Sequence, residues 1–207
     1  MLGQRRFRDA ALEADTPSNI SSSSHLYKRW FASQYTGFPD ANAWNDALGA
    51  HHALTRYDGR GCGLSDRDVG SFALDELVAD LESVVDAAGL ERFALLGISQ
   101  GGAVSIVYAA RHPERVSHLV LCGAFARGGL HRDLGPAQRD ARVAMVRLVE
   151  LGWGQDNPAF LQMFTSQFFP DATPAQAHAF NEIQRRATSP WTAARLMTRD
   201  AADPGPL

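Results

Sequence analysis

The run Phe93-Ala94-Leu95-Leu96-Gly97-Ile98-Ser99-Gln100-Gly101-Gly102 is an apolar stretch that breaks into glycines around one serine and then resumes at helical spacing. Five apolar or small residues ahead of the break read as a buried strand, and no helix breaker follows until Pro113. A serine on so tight a strand-to-helix turn must adopt a strained backbone conformation while neighbouring chain passes close by. Gly97 and Gly101 remove the side chains that would collide there. The pattern is that of a nucleophile elbow, with Ser99 as the candidate nucleophile. The helix starting beside it points unpaired N–H groups and a positive dipole end at any oxyanion forming nearby, so the Gln100 N–H is the natural first donor. Glycine and serine are common, so a bare G-x-S-x-G arises often by chance; the strand before it and the helix after it carry the weight.

Around the elbow the chain alternates. Residues 53–58 read as a short strand, stopped by three glycines in the five residues Gly59-Arg60-Gly61-Cys62-Gly63. Leu74, Leu77, Val78, Leu81 and Val85 recur at helical spacing over 74–88, and Gly89 ends that helix. The elbow strand and a helix to about 112 follow, then a strand over 116–121. Strand, helix, strand, helix, strand with short connections predicts parallel strands joined by right-handed crossovers, which places Ser99 at the carboxyl edge of the sheet, where open α/β sheets carry their sites. After Gly123 no strand pattern returns. Segments 136–151, 157–169, 173–187 and 190–197 read as helices, started by Pro136, Pro158, Pro174 and Pro190, the last three behind Asn157, Thr173 and Ser189 in N-cap positions. Trp153, Phe160, Phe164, Phe168, Phe169 and Trp191 are read first as packing for these helices and second as a substrate wall.

The apolar content of 45% over 207 residues is enough for a real core. A net charge of −3 with both signs interspersed offers no polyanion-binding surface, so nucleic acid is not expected as a partner. No stretch approaches the roughly 20 apolar residues that span a bilayer, and the first residues lack the apolar core of a secretory signal. Membrane association is not expected. Cys62 and Cys122 sit in unrelated contexts without metal-ligand spacing, which suggests neither a disulfide framework nor a metal site, and the expected location is the cytoplasm. Residues 1–40 read as loop-like and low in complexity, with Arg5, Arg6 and Arg8 near the start and serines at 21–24. A short helix over 41–50 would bury Trp44 and Leu48.

Three stretches together resemble the α/β-hydrolase family. Tyr57-Asp58-Gly59-Arg60-Gly61-Cys62-Gly63-Leu64-Ser65-Asp66 resembles its Y-D-x-R-G-x-G-x-S loop, Gly97-Ile98-Ser99-Gln100-Gly101-Gly102 its elbow, and His112-Pro113-Glu114-Arg115-Val116 the H-P-E-R-V turn before the next strand. The resemblance runs over roughly 51–197 and is most specific over 57–127. It implies a partial α/β-hydrolase fold: an aberrant segment at 1–40, a core with the elbow over 41–128, a helical cap over 129–199 that covers the site and shapes substrate choice, and a tail at 200–207. It further implies a serine hydrolase of the esterase type, acting on a small-molecule ester or other acyl substrate through a Ser99 acyl-enzyme, with Gln100 as first oxyanion donor and Asp58-Gly59-Arg60 as a structural loop beside the site. No cofactor or metal is implied.

The family's triad runs serine, acid, histidine, with the last two on strands beyond the cap. Here no strand pattern follows Leu121 and no histidine follows His178. His178, with Asp133, Asp140, Asp156 or Asp171 between it and Ser99, satisfies the order formally, but it lies inside a helical pattern. His25, His51, His52, His112, His118 and His131 offer no better base. The stretch 19–24 is too polar for a buried parallel strand, and Ser24-His25-Leu26 reads as a remnant of the loop that gives the second oxyanion donor. The expectation is a sheet of three strands with unprotected edges that invite self-association, in a chain truncated at its C-terminal side. A serine without a base is a poor nucleophile, so two alternatives stand beside the enzyme: a non-catalytic ligand-binding or regulatory module of hydrolase ancestry, and an inactive incomplete product.

Overall fold

The computed structural model describes residues 27–30, 46–125, 134–155 and 158–202. Among these residues four strands form one parallel sheet: β1 (Tyr27–Trp30), β2 (Leu54–Arg56), β3 (Phe93–Ile98) and β4 (Val116–Cys122), in the order β2-β1-β3-β4. Helix α1 (Leu74–Ala87) joins β2 to β3 and α2 (Gly101–Arg111) joins β3 to β4. Four further helices follow: α3 (Pro136–Gly152), α4 (Pro158–Phe168), α5 (Pro174–Ala187) and α6 (Pro190–Ala202).

The expectation of three strands is corrected to four. β1 lies inside the segment 1–40 that the sequence presents as aberrant, and it occupies the middle of the sheet, with Tyr27 opposite Leu54 of β2 and Ala94 of β3. Its four residues, Tyr-Lys-Arg-Trp, show no apolar run. Pairing on both sides holds a segment whose own propensity does not announce it. The stretch Ser24-His25-Leu26 and the positions 41–45, Trp44 among them, lie outside the described residues; a helical turn covers 46–49.

The core forms where α1 and α2 pack on the elbow strand. Leu77, Val78, Leu81 and Val85 from α1, Val104 and Tyr108 from α2, and Phe93 and Leu95 from β3 make one buried cluster. The apolar spacing of α1 puts those residues on one stripe, and Gly89 ends the helix in the left-handed region at φ +62°. Turn 112–115 locks the next strand in place. Arg115 reaches back to Asp86 Oδ1 (2.8 Å) and the Leu90 carbonyl (2.8 Å), while its own carbonyl accepts from the Phe93 N–H (2.9 Å).

A second cluster joins α3, α4 and α6 through Val149, Trp153, Phe160, Phe164, Ala193 and Ala194. Trp153 meets Phe164 edge-on at 5.1 Å. Packing is thus the main use of the aromatic residues, with Phe168 and Trp191 the half-exposed exceptions. Two predicted caps form: Thr173 Oγ1 accepts from the Gln176 N–H (3.3 Å) while Gln176 Oε1 accepts from the Thr173 N–H (2.9 Å), and Ser189 Oγ accepts from the Thr192 N–H (3.1 Å). Asn157 lies outside the described residues. Helix α6 runs to Ala202, past the 197 limit that periodicity gave it.

Candidate active site

Strand β3 is buried from Phe93 to Gly97 and then rises to an exposed Ser99 at the carboxyl edge of the sheet. Ser99 has φ +51°, and it is the only non-glycine with positive φ among the described residues. An L-residue stays in that region only when its surroundings hold it there. Here the Ser99 N–H donates to the Cys122 carbonyl on β4 (3.0 Å), and the Ser99 carbonyl accepts from the Gly102 N–H (3.0 Å). The elbow is braced from both sides.

Glycines make this approach sterically feasible. A Cβ on Gly97 would lie 2.7 Å from Ser105 Oγ and 3.0 Å from Gly102 Cα, and one on Gly102 would lie 2.3 Å from the Ala124 Cβ. Strand end, helix start and the residues after β4 therefore meet at closer range than side chains allow. Gln100 takes helical φ and ψ (−59°, −28°) ahead of α2. Its N–H has no acceptor among the described residues, so the turn presents a free donor beside the serine at the positive end of a helix.

The glycine loop after β2 is a hub of hydrogen bonds. Asp58 Oδ2 accepts from the Leu64 N–H (2.9 Å), the Asp58 carbonyl accepts from Ser65 Oγ (2.6 Å), and Gly63 at φ +55° leaves room where a Cβ would strike the Asp58 carboxylate. Arg60 forks onto Asp80 of α1 (2.6 and 2.8 Å), pairs with Glu76 and donates to the Ser71 carbonyl (3.1 Å). The Asp80 hydrogen bond raises the Arg60 pKa above its ordinary value. On its other side the loop holds the end of α5: the Gly63 N–H donates to the Ala187 carbonyl (2.8 Å) and Thr188 Oγ1 to the Gly61 carbonyl (2.7 Å).

No hydrogen bond joins Ser99 to a histidine or carboxylate among the described residues. His178 is exposed on α5, and His118 is exposed on β4 with Ser117 Oγ at 3.3 Å. His112 pairs with Glu82 and stacks against Tyr108 at 4.7 Å, an arrangement that fixes the turn. Asp140 and Asp171 are exposed, and His25, His131, Asp133 and Asp156 lie outside the described residues. Two elbow contacts escaped the sequence reading: the Cys122 carbonyl, because Cys122 reads only as the end of an apolar strand, and Ser105, whose position one turn into α2 is the only clue that it faces Gly97.

A family model described as the alpha/beta hydrolase fold matches residues 30–193. A proline iminopeptidase of Xylella fastidiosa is 30% identical over 173 residues, 76% of this chain and 47% of that protein. The (lyso)-N-acylphosphatidylethanolamine lipase of Mus musculus is 33% identical over 117 residues, 55% of this chain and 34% of the lipase. Among solved structures, a hydrolase from Pseudomonas aeruginosa superposes with a TM-score of 0.63 at 25% identity, over 95% of this chain and 75% of that one. The chain spans less than half the length of these curated relatives.

Proposed function

Because the chain belongs to the α/β-hydrolase family, whose members similar to it are hydrolases, we propose that it is a serine hydrolase that cleaves a carboxylic ester or similar acyl bond through a Ser99 acyl-enzyme. One observation carries the reading: Ser99 is held at φ +51° and exposed at the strand-to-helix turn, with an unengaged Gln100 N–H beside it. A peptidase and a lipase among the relatives favour an acyl bond as the target.

In the proposed reaction Ser99 Oγ attacks the carbonyl carbon and its proton passes to a general base. The carbonyl oxygen becomes an oxyanion, and the Gln100 N–H and the positive end of α2 stabilise it. Collapse expels the alcohol, which takes up the proton, and water then hydrolyses the acyl-enzyme. Helices over 129–199 act as a cap above this site, and small-molecule esters are the substrates. Location in the cytoplasm is supported by cysteine usage: Cys62 is buried, Cys122 is exposed, and no disulfide joins them. The outer edge of β4, which has no partner strand among the described residues and whose residues 118–122 are all exposed, supports self-association.

A fluorophosphonate probe tests this reading, because labelling requires both an accessible serine and a base that activates it. Labelling of the folded chain at Ser99, absent in Ser99→Ala, is the expected result. Folded protein without labelling overturns the enzyme reading and leaves the non-catalytic module, which the absence of a hydrogen-bonded base among the described residues favours. Ligand-dependent thermal stabilisation that Ser99→Ala leaves unchanged would then identify that module.

A further inference from the structure

A cavity of about 530 Å³ opens where the ends of α3 and α5 meet the start of α6 and the loop after β2. No residue of the elbow lines it. Although the chain carries a net charge of −3, this wall is cationic, with Arg67, Arg185 and Arg186 against the single carboxylate of Glu150.

The local ion pairs leave cations in excess of carboxylates. Arg147 holds the Glu150 carboxylate (2.5 Å), and Glu182 is engaged by Arg185 (2.7 Å). Arg186 reaches only the same Glu182, at 3.5 Å, and its side chain is 76% exposed. Arg67 makes no ion pair among the described residues; it donates to the carbonyls of Ala187 (2.9 Å) and Arg186 (3.0 Å) at the end of α5. Those two bonds fix the guanidinium in place and use two of its five donors, so the helix-end role explains its position and leaves its charge available.

Between the arginines the wall is apolar. Leu151 is 57% exposed, and the buried Trp153 has its indole N–H already spent on the Thr188 carbonyl (3.2 Å), so it adds no donor to the wall. Pro190, exposed at the start of α6, adds a second apolar surface. Planar guanidinium forks suit carboxylate and phosphate oxygens, and the surfaces beside them suit hydrocarbon.

We propose that this cavity binds a small amphiphilic oxyanion, a carboxylate or phosphate monoester with an apolar tail, headgroup toward Arg67 and Arg186 and tail along Leu151 and Pro190. The site is independent of the chemistry at Ser99. Calorimetric titration of the full chain with hexanoate and with hexyl phosphate, and with 1-hexanol as the uncharged control, tests it. The expected result is saturable binding of one anion per chain, weakened by salt, absent for hexanol and equal in Ser99→Ala, so that failure here is distinguishable from failure of the hydrolase reading. Whichever of hexanoate and hexyl phosphate binds more tightly identifies the headgroup. Arg186→Gln and Leu151→Asp, both at exposed positions that leave the Arg67 contacts intact, should each weaken binding about tenfold. Absence of saturable binding for both anions, binding that neither variant changes, or hexanol binding as tightly as hexanoate would overturn the proposal.

Discussion

Ser99 holds its left-handed backbone because β4 and α2 both grip it, and the same crowding sets what its neighbours can be. Ser105 is fully buried, its hydroxyl has no partner among the described residues, and it lies where a Gly97 side chain would go. Gly97→Ala should therefore destabilise the fold by about 1–3 kcal/mol through overpacking, read from the denaturant midpoint, and adding Ser105→Gly should recover part of that loss. An unchanged midpoint in Gly97→Ala would mean that the elbow is looser than its geometry. Tyr108 is the other buried hydroxyl of α2 without a partner among the described residues, and burial pushes its pKa up to about 12. The unfolded chain ionises tyrosine near about 10, so the stability this group contributes is complete below that pH and is lost as pH rises through its folded value. Tyr57, raised in the same direction by burial, adds to the loss. Tyr108→Phe should match or exceed the parent in stability at neutral pH, since it removes an unsatisfied hydroxyl, and should unfold less steeply between pH 10 and 12; a steeper fall in the variant would refute this assignment.

At the scale of elements, the loop after β2 ties the first apolar cluster to the end of α5. Arg60 binds it to α1 through Asp80, which is only 8% exposed, and the Gly61, Gly63 and Arg67 contacts bind it to the end of α5. Removing Arg60 leaves a buried carboxylate without its partner. Arg60→Ala should cost about 2–4 kcal/mol, while the paired change Arg60→Met with Asp80→Leu should cost much less; equal losses, measured by urea unfolding, would show that Asp80 needs no counterion. The helices were legible beforehand because each carries its own signal: a proline at the start, a capping side chain such as Thr173, a stripe such as Leu77, Val78, Leu81 and Val85. Strand β1 was not, because Tyr27–Trp30 owes its form to β2 and β3 on either side. The elbow was legible for a related reason, since glycines at fixed offsets from Ser99 have a steric cause that shows in sequence. A base for Ser99 has no such local signature, as its position depends on contacts between distant segments.

Across the whole molecule the sheet is unevenly covered. Parallel sheets are ordinarily buried on both faces, and β3 is, but all five positions from His118 to Cys122 on β4 are exposed. Successive residues of a strand point to opposite faces, so solvent reaches both faces of β4 over 118–122, and its outer edge has no partner strand among the described residues. Leu119, Val120 and Leu121 are 37%, 45% and 44% exposed. No lysine, proline or carboxylate interrupts the strand, and these are the devices that keep such edges from pairing. Two copies related by a two-fold axis would meet at β4 as an antiparallel pair, with uncharged residues opposite each other and the sheets continuous. The expected consequence is concentration-dependent self-association, visible as a rising mass in light scattering coupled to size-exclusion chromatography. Val120→Lys sets a charge on the exposed edge with its like charge close by across the two-fold, and should return the chain to monomer without loss of helix signal in circular dichroism. A wild-type chain that stays monomeric at high concentration, or a Val120→Lys variant that associates as strongly as the parent, would show that β4 is covered in solution by some other part of the chain.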